Sequence, residues 1–285
     1  SWLWKNVVLP PNLTDLHLDL ENKAPSLGSC DILPFHSSLS KLRRLENCVL
    51  ETQSNVPRNA LLISEAKLLV DINLPIISHL PKCLRSFEDR TCGWTTVMDV
   101  YPDKELLYWK YLQNLTRLES LKLENVSNSS SVPPWRGLKL GLRTLWIYTL
   151  QTLSLFRSKV FTQLRKLYIK IFEISMLDLL KSIARISTLE EVHIYEQVEV
   201  REDLIHGISN FIDALPLLRE LEVLIKSELD LDNYLSLLKQ IPVKSNLRKV
   251  SIRFNDKEIY KGGRGNLGYL IREVKPDIYT FKNLE

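Results

Sequence analysis

Three sets of residues have types and spacings that bear on chemistry. The first is "GRGNLG", Gly263 to Gly268, which matches the glycine fingerprint G-x-G-x-x-G. A dinucleotide site needs a strand before such a loop, a helix after it and an acidic residue roughly 20 positions on. Only 17 residues follow Gly268, too few for that unit, so a turn before a terminal cap is the expected reading. The second set is the five histidines, His17, His36, His79, His193 and His206. They fall in separate segments, with no H-x-x-x-H and no G-x-S-x-G to build a metal or nucleophile site. Catalytic residues, a cofactor and a metal are therefore not expected. His193, next to Glu191 in the alternation, reads as a surface or interface residue rather than a general base.

The third set is aromatic. In "LRTLWIYTL", Leu142 to Leu150, Leu142, Leu145, Ile147 and Leu150 fit the buried face of a strand. That alternation sends Trp146 and Tyr148 to the opposite, open face. Comparable alternation places Lys166, Tyr168 and Lys170 outward in one later segment, and Glu191, His193 and Tyr195 in another. Exposed Trp and Tyr with basic neighbours have the composition of an interface hot spot. The expected partner-binding set is Trp146, Tyr148, Lys166, Tyr168, Lys170, His193 and Tyr195. The plain alternative is a solvated sheet whose aromatics serve β-propensity and cross-strand packing.

Those segments are copies of one element. The frame L-x-x-L-x-L, or a near variant, starts at Leu13, Leu45, Leu84, Leu118, Leu142, Leu164, Leu189, Leu218 and Leu247, with spacings of 32, 39, 34, 24, 22, 25, 29 and 29 residues. "LENCVL" at Leu45 and "LRSFED" at Leu84 are the least regular copies. Each frame predicts a strand followed by a return segment, and the long returns carry helical spacing. "SMLDLLKSIARIS" would line up Leu177, Leu180, Ile183 and Ile186, with Ser175 and Asp178 as a capping box. Leu204, Ile208, Phe211 and Leu215 repeat the pattern, as do Leu235, Leu238 and Ile241. No single unit can bury its apolar edge alone, so stacking must supply the core.

The expected fold is thus an α/β solenoid, a curved horseshoe with a parallel sheet on the concave side and helices and turns on the convex side. Residues 1–10 are read as an N-terminal cap, 11–260 as about nine repeats with an insertion near 51–79, and 261–285 as a C-terminal cap. "NVSNSSSVPPW", Asn125 to Trp135, reads as an exposed loop.

Composition narrows the class of partner. Of 285 residues, 38 are Lys or Arg and 34 are Asp or Glu, a balance that a dedicated nucleic-acid binder seldom has. The basic residues recur singly or in pairs in each repeat, as on a solvated face. No apolar run reaches the ~18–20 residues of a membrane span, and no leader is visible. Cys30, Cys48, Cys83 and Cys92 permit two disulfides in three pairings, but a chain this long needs no staples, and free thiols are expected. N-x-S/T sequons at Asn12, Asn114, Asn125 and Asn128 point the other way, towards secretion. A cytoplasmic or nuclear setting is the expectation.

The nine frames resemble the leucine-rich-repeat superfamily over nearly the whole chain, and the long helical returns resemble its intracellular branches. The opening "SWLWKNVVLP" is similar to the tail of an F-box leading into a first repeat. The resemblance implies the substrate-recognition part of an SCF-type ubiquitin ligase receptor, with a protein ligand on the concave face. It also implies a Skp1-like adaptor bound through residues before Ser1, and the style of the repeats is similar to fungal members. An intracellular immune-receptor or scaffold repeat domain is the alternative the same frames allow.

Overall fold

The structure is a computed structural model, and it describes residues 8–19, 33–52, 73–91, 102–124, 140–150, 153–157, 160–171, 174–195, 202–225, 247, 249–254 and 269–273. Each of the nine frames becomes a strand that begins two residues after its first leucine: β1 Asp15–Asp19, β2 Asn47–Thr52, β3 Ser86–Thr91, β4 Ser120–Leu123, β5 Thr144–Leu150, β6 Lys166–Ile171, β7 Glu191–Tyr195, β8 Glu220–Ile225 and β9 Lys249–Phe254. The chain divides into two compact units, Ser1–Gln163 and Leu164–Glu285.

In the first unit β1 to β5 pair in sequence order, all parallel. The register lays like frame positions side by side, for example Cys48 beside Phe87, Phe87 beside Leu121 and Leu121 beside Leu145. That ladder and the flanking ones (Leu45, Leu84, Leu118 and Leu142; Leu50, Leu123 and Ile147) are buried. Burying each such side chain contributes about 1.5–3 kcal/mol, which is why the leucine spacing dictates the strand register. β2 and β3 are direct neighbours, and residues 53–72 of the expected insertion near 51–79 lie outside the described residues. The second unit repeats the design with β6 to β9, and its buried ladders run Leu167, Val192 and Leu221, then Ile169, Ile194 and Val223.

Helices return the chain between strands: α1 Leu33–Leu39, α2 Pro102–Asn114, α3 Ser154–Arg157, α4 Met176–Ile183 and α5 Glu202–Ala214, with residues 73–78 also helical. Helices were expected in the later repeats, yet α1, residues 73–78 and α2 lie early in the chain. In α2 the buried places go to Tyr108, Trp109 and Leu112 while Leu106 is exposed, so the apolar stripe is faint in the sequence. α4 also differs from expectation. Met176, Leu179, Leu180 and Ile183 form its buried face, and Ser175 makes no side-chain capping bond. Leu177 is half-buried and faces Gly207 of α5, where a Cβ would run into it. α5 keeps its expected buried face through Ile208 and Phe211, followed by Leu215. The returns near Leu235 and the loop at 125–135 lie outside the described residues, as does "GRGNLG".

The expected C-terminal cap contains a strand. β10 Tyr269–Glu273 pairs antiparallel with β9 and so ends the parallel run. Cys48 is buried and free and Cys83 is free, while Cys30 and Cys92 lie outside the described residues. Burial, aided by the nearby Asp89 carboxylate, pushes the Cys48 thiol up to about 12, which keeps it neutral and inert.

One frame position breaks the apolar rule. Asp89 stands where the neighbouring strands have Leu50 and Leu123, and it is almost wholly buried. The Tyr108 hydroxyl donates a 2.8 Å hydrogen bond to it from α2. Tyr108→Phe should therefore cost about 1.5–3 kcal/mol, because a buried carboxylate loses a donor. The urea midpoint reads this. The double change Tyr108→Phe with Asp89→Leu should recover most of the loss, since both polar groups leave the core together.

Candidate functional site

In each unit the strands turn one face towards the helices and core. The other face carries the alternate residues of every strand, and each unit has its own such face.

In the first unit the central outward positions of neighbouring strands read His17, Val49, Glu88, Lys122 and Trp146. Hydrogen bonds and ion pairs link the polar members of this row and the next into a chain. His17 Nε2 lies 3.2 Å from Glu51, and Glu51 is 3.4 Å from Arg90 Nη1. Arg90 Nε donates to Glu88 at 2.6 Å, and Lys122 Nζ reaches Glu88 at 3.2 Å. The Lys122 ammonium then stands 5.7 Å from the centre of the Trp146 ring, within cation–π range. Burial alone pushes the Glu88 carboxyl up, but hydrogen bonds and charge from Arg90 and Lys122 outweigh it and hold it below its ordinary range. The Glu88 hydrogen bond, opposed by some desolvation, raises Arg90 in turn. Glu88 is thereby held ionised between its two cations, and the strip ends on two aromatics: Trp146 is half-buried, and Tyr148 is 39% exposed.

In the second unit the central row begins Tyr168, His193 and Glu222. The Tyr168 and His193 rings stack at 4.5 Å between centroids, tilted by 21°. His193 Nδ1 lies 3.2 Å from the buried Glu222 carboxylate, and the Tyr168 hydroxyl donates to Glu191 at 3.2 Å. Lys166 donates to the other Glu191 oxygen at 2.7 Å. Burial first, then the Glu191 carboxylate, pushes the Tyr168 phenol up to about 12. Such a phenol stays protonated at neutral pH, with its ring stacked on His193. Lys170 and Tyr195 pair in the next row, Lys170 exposed and Tyr195 half-buried.

The structure thus brings five of the seven expected residues together in the second unit (Lys166, Tyr168, Lys170, His193 and Tyr195) and places Trp146 and Tyr148 together in the first. Sequence reasoning missed Glu51, Glu88 and Arg90, which lie in the two least regular frames. The available signal was the alternation itself, which sends 49, 51, 88 and 90 to the same face as Trp146. Among the described residues no cluster of three or more His, Cys, Asp or Glu side chains has the geometry to hold a metal ion. No described helix is long and apolar enough to cross a membrane. What the two faces offer chemically is pre-paired polar and aromatic surface.

Comparison with protein-family models and with curated proteins finds no match to this chain. The class that the fold defines is an α/β protein of repeated strand-and-return units on a largely parallel sheet.

Proposed function

We propose that this chain is a non-catalytic protein-recognition domain of the leucine-rich-repeat type, a horseshoe whose concave face takes a protein ligand. In this reading it is the substrate-binding part of an SCF-type ubiquitin ligase receptor. The observation that carries recognition is the pair of aromatic, pre-ordered strips on open sheet faces: Trp146 and Tyr148, and the stacked Tyr168 and His193 with Tyr195. Planar side chains already fixed by Lys122, Glu191 and Glu222 lose little freedom on binding, which favours affinity. The ligase assignment rests on the F-box-like "SWLWKNVVLP" and on the repeat frames.

The test uses the full-length protein. Co-purification with Skp1 and a cullin is expected, as is ubiquitin transfer to a bound partner. A full-length protein that binds a partner through Trp146 but never Skp1 would overturn the ligase part and leave recognition standing.

A further inference from the structure

The basic residues that recur one or two per repeat in the sequence do not stay scattered. Four turns lead into β2, β3, β4 and β5, and their backbones are tied to one another. Arg85 N–H bonds to the Glu46 carbonyl, Glu119 N–H to the Arg85 carbonyl, and Arg143 N–H to the Glu119 carbonyl, at 2.9, 2.8 and 2.8 Å. Residues 46, 85, 119 and 143 therefore form one rung-by-rung row along the edge where the strands begin, with steps of about 4.8 Å. The preceding turns are equivalent by their buried anchors, Leu42 and Leu45, Leu84, Leu115 and Leu118, and Leu142. Those anchors force the residues between them outward: Arg43 and Arg44 in one turn, Lys82 in the next, Arg117 in the third.

Arg43, Arg44, Lys82, Arg85, Arg117 and Arg143 are all exposed. Among the described residues none of the six makes an ion pair, in contrast to Arg90, Lys122 and Lys166 on the sheet faces. The acids in the row are Glu46 and Glu119, which leaves an excess of four positive charges on this one edge. The whole chain carries +4, so the edge concentrates as much net charge as the molecule has. The corresponding row of the second unit is different in kind. There Glu190 lies between Arg165 at 3.0 Å and Arg219 at 3.7 Å, so both arginines of that row are held in ion pairs.

Unmatched, exposed, rigidly mounted cations attract an anionic partner and speed its arrival. The order along the row decides which anion. It alternates Glu46, Arg85, Glu119, Arg143, so a continuous phosphate backbone lying along the edge would pass over two carboxylates. A polypeptide can set acidic side chains against Arg85 and Arg143, about 10 Å apart, and leave uncharged residues opposite the two glutamates. From this arrangement we infer that the strand-start edge of the first unit is a docking surface for an acidic polypeptide segment, separate from the aromatic faces. It does not rest on the ligase reading, and it stands or falls without Skp1.

The experiment measures binding of a fluorescent twelve-residue peptide with Glu at every third position and Gly between, which in extended form spaces its carboxylates by about 10 Å, to the full-length protein by anisotropy. The double reversal Arg85→Glu with Arg143→Glu should weaken binding at least tenfold and flatten its dependence on salt. Both positions are exposed turn residues, and an unchanged melting curve verifies the fold. Lys181→Glu with Arg185→Glu, an equal change of charge at exposed positions of the second unit away from its sheet face, should leave binding within about twofold. Equal losses from the two reversals would mean a diffuse charge effect and would overturn the proposal. So would absence of peptide binding at low salt. Tighter binding of a single-stranded oligonucleotide or of anionic vesicles than of the peptide, lost with the same arginines, would overturn the choice of polypeptide.

Discussion

Trp146→Ala should leave the melting profile of this protein nearly unchanged and reduce capture of its partner at least thirtyfold. The two halves of that expectation have different physical origins. Trp146 alternates with Leu145 and Ile147, both buried, while its own side chain lies on the open face with Lys122 poised over the ring. Truncation there removes one cation–π contact and some sheet packing, a cost of about 1 kcal/mol or less. Leu145→Ala, one residue away, empties a core position and should cost about 2–5 kcal/mol. Binding reverses the order: a central interface aromatic is commonly worth 2 kcal/mol or more, which is about thirtyfold in affinity. Tyr168→Ala should show the same binding loss with a larger structural cost than Trp146→Ala. Its ring is half-buried against His193 and its hydroxyl bonds Glu191, so roughly 1–2 kcal/mol is expected. Chemical denaturation and a pull-down from the native source measure the two halves separately. Trp146→Ala with full partner capture would reduce the aromatic strips to sheet packing.

How much of this was legible in the sequence follows from which force set each feature. Strand positions were, because a one-residue slip would move Leu142, Leu145 and Ile147 into water and Trp146 into the core. All nine strands accordingly begin two residues after the first leucine of their frames. α2 was faint because aromatic Tyr108 and Trp109 fill its buried positions and Leu106 does not. The face of α4 was shifted because one apolar residue, Leu177, is spent on Gly207 of the neighbouring helix rather than on the sheet. β10 was hidden because residues 269–273 carry no copy of the L-x-x-L-x-L frame, so the turn read at Gly263–Gly268 led only to a cap. On the open faces, individual residues were legible but their pairing was not. Glu88 and Glu222 look alike as letters, yet one is held by Arg90 and Lys122 and the other by His193. Pairing depends on register between units 29 to 39 residues apart, and only the fold supplies it.

Acidification should destabilise the first unit well above the pH at which carboxylates titrate, and His36 should account for it. His36 sits in α1, 3% exposed, with its ring stacked on His79 at 5.0 Å, and its Nε2 has no hydrogen-bond partner among the described residues. His79 is oriented from behind, its Nδ1–H donating to the Pro75 carbonyl at 2.8 Å. Burial first, and then the neighbouring His79, pushes the His36 imidazole down from 6.5 to about 4. Above pH 6.5 the ring is neutral both folded and unfolded, so stability does not depend on it. Between 6.5 and 4 the unfolded chain takes up a proton that the folded chain refuses, so stability falls as pH falls. The loss is about 2 kcal/mol by pH 5 and approaches about 3 kcal/mol near pH 4, where the folded ring also protonates. His36→Phe keeps a flat ring on His79 and has nothing to titrate. Urea midpoints at pH 7, 6 and 5 should decline steeply for the native chain and much less for the variant, with the two closest in behaviour above pH 7. Parallel declines would place the acid sensitivity in other groups, and a variant less stable than the native chain at pH 5 would show that His36 serves the core as more than a neutral ring.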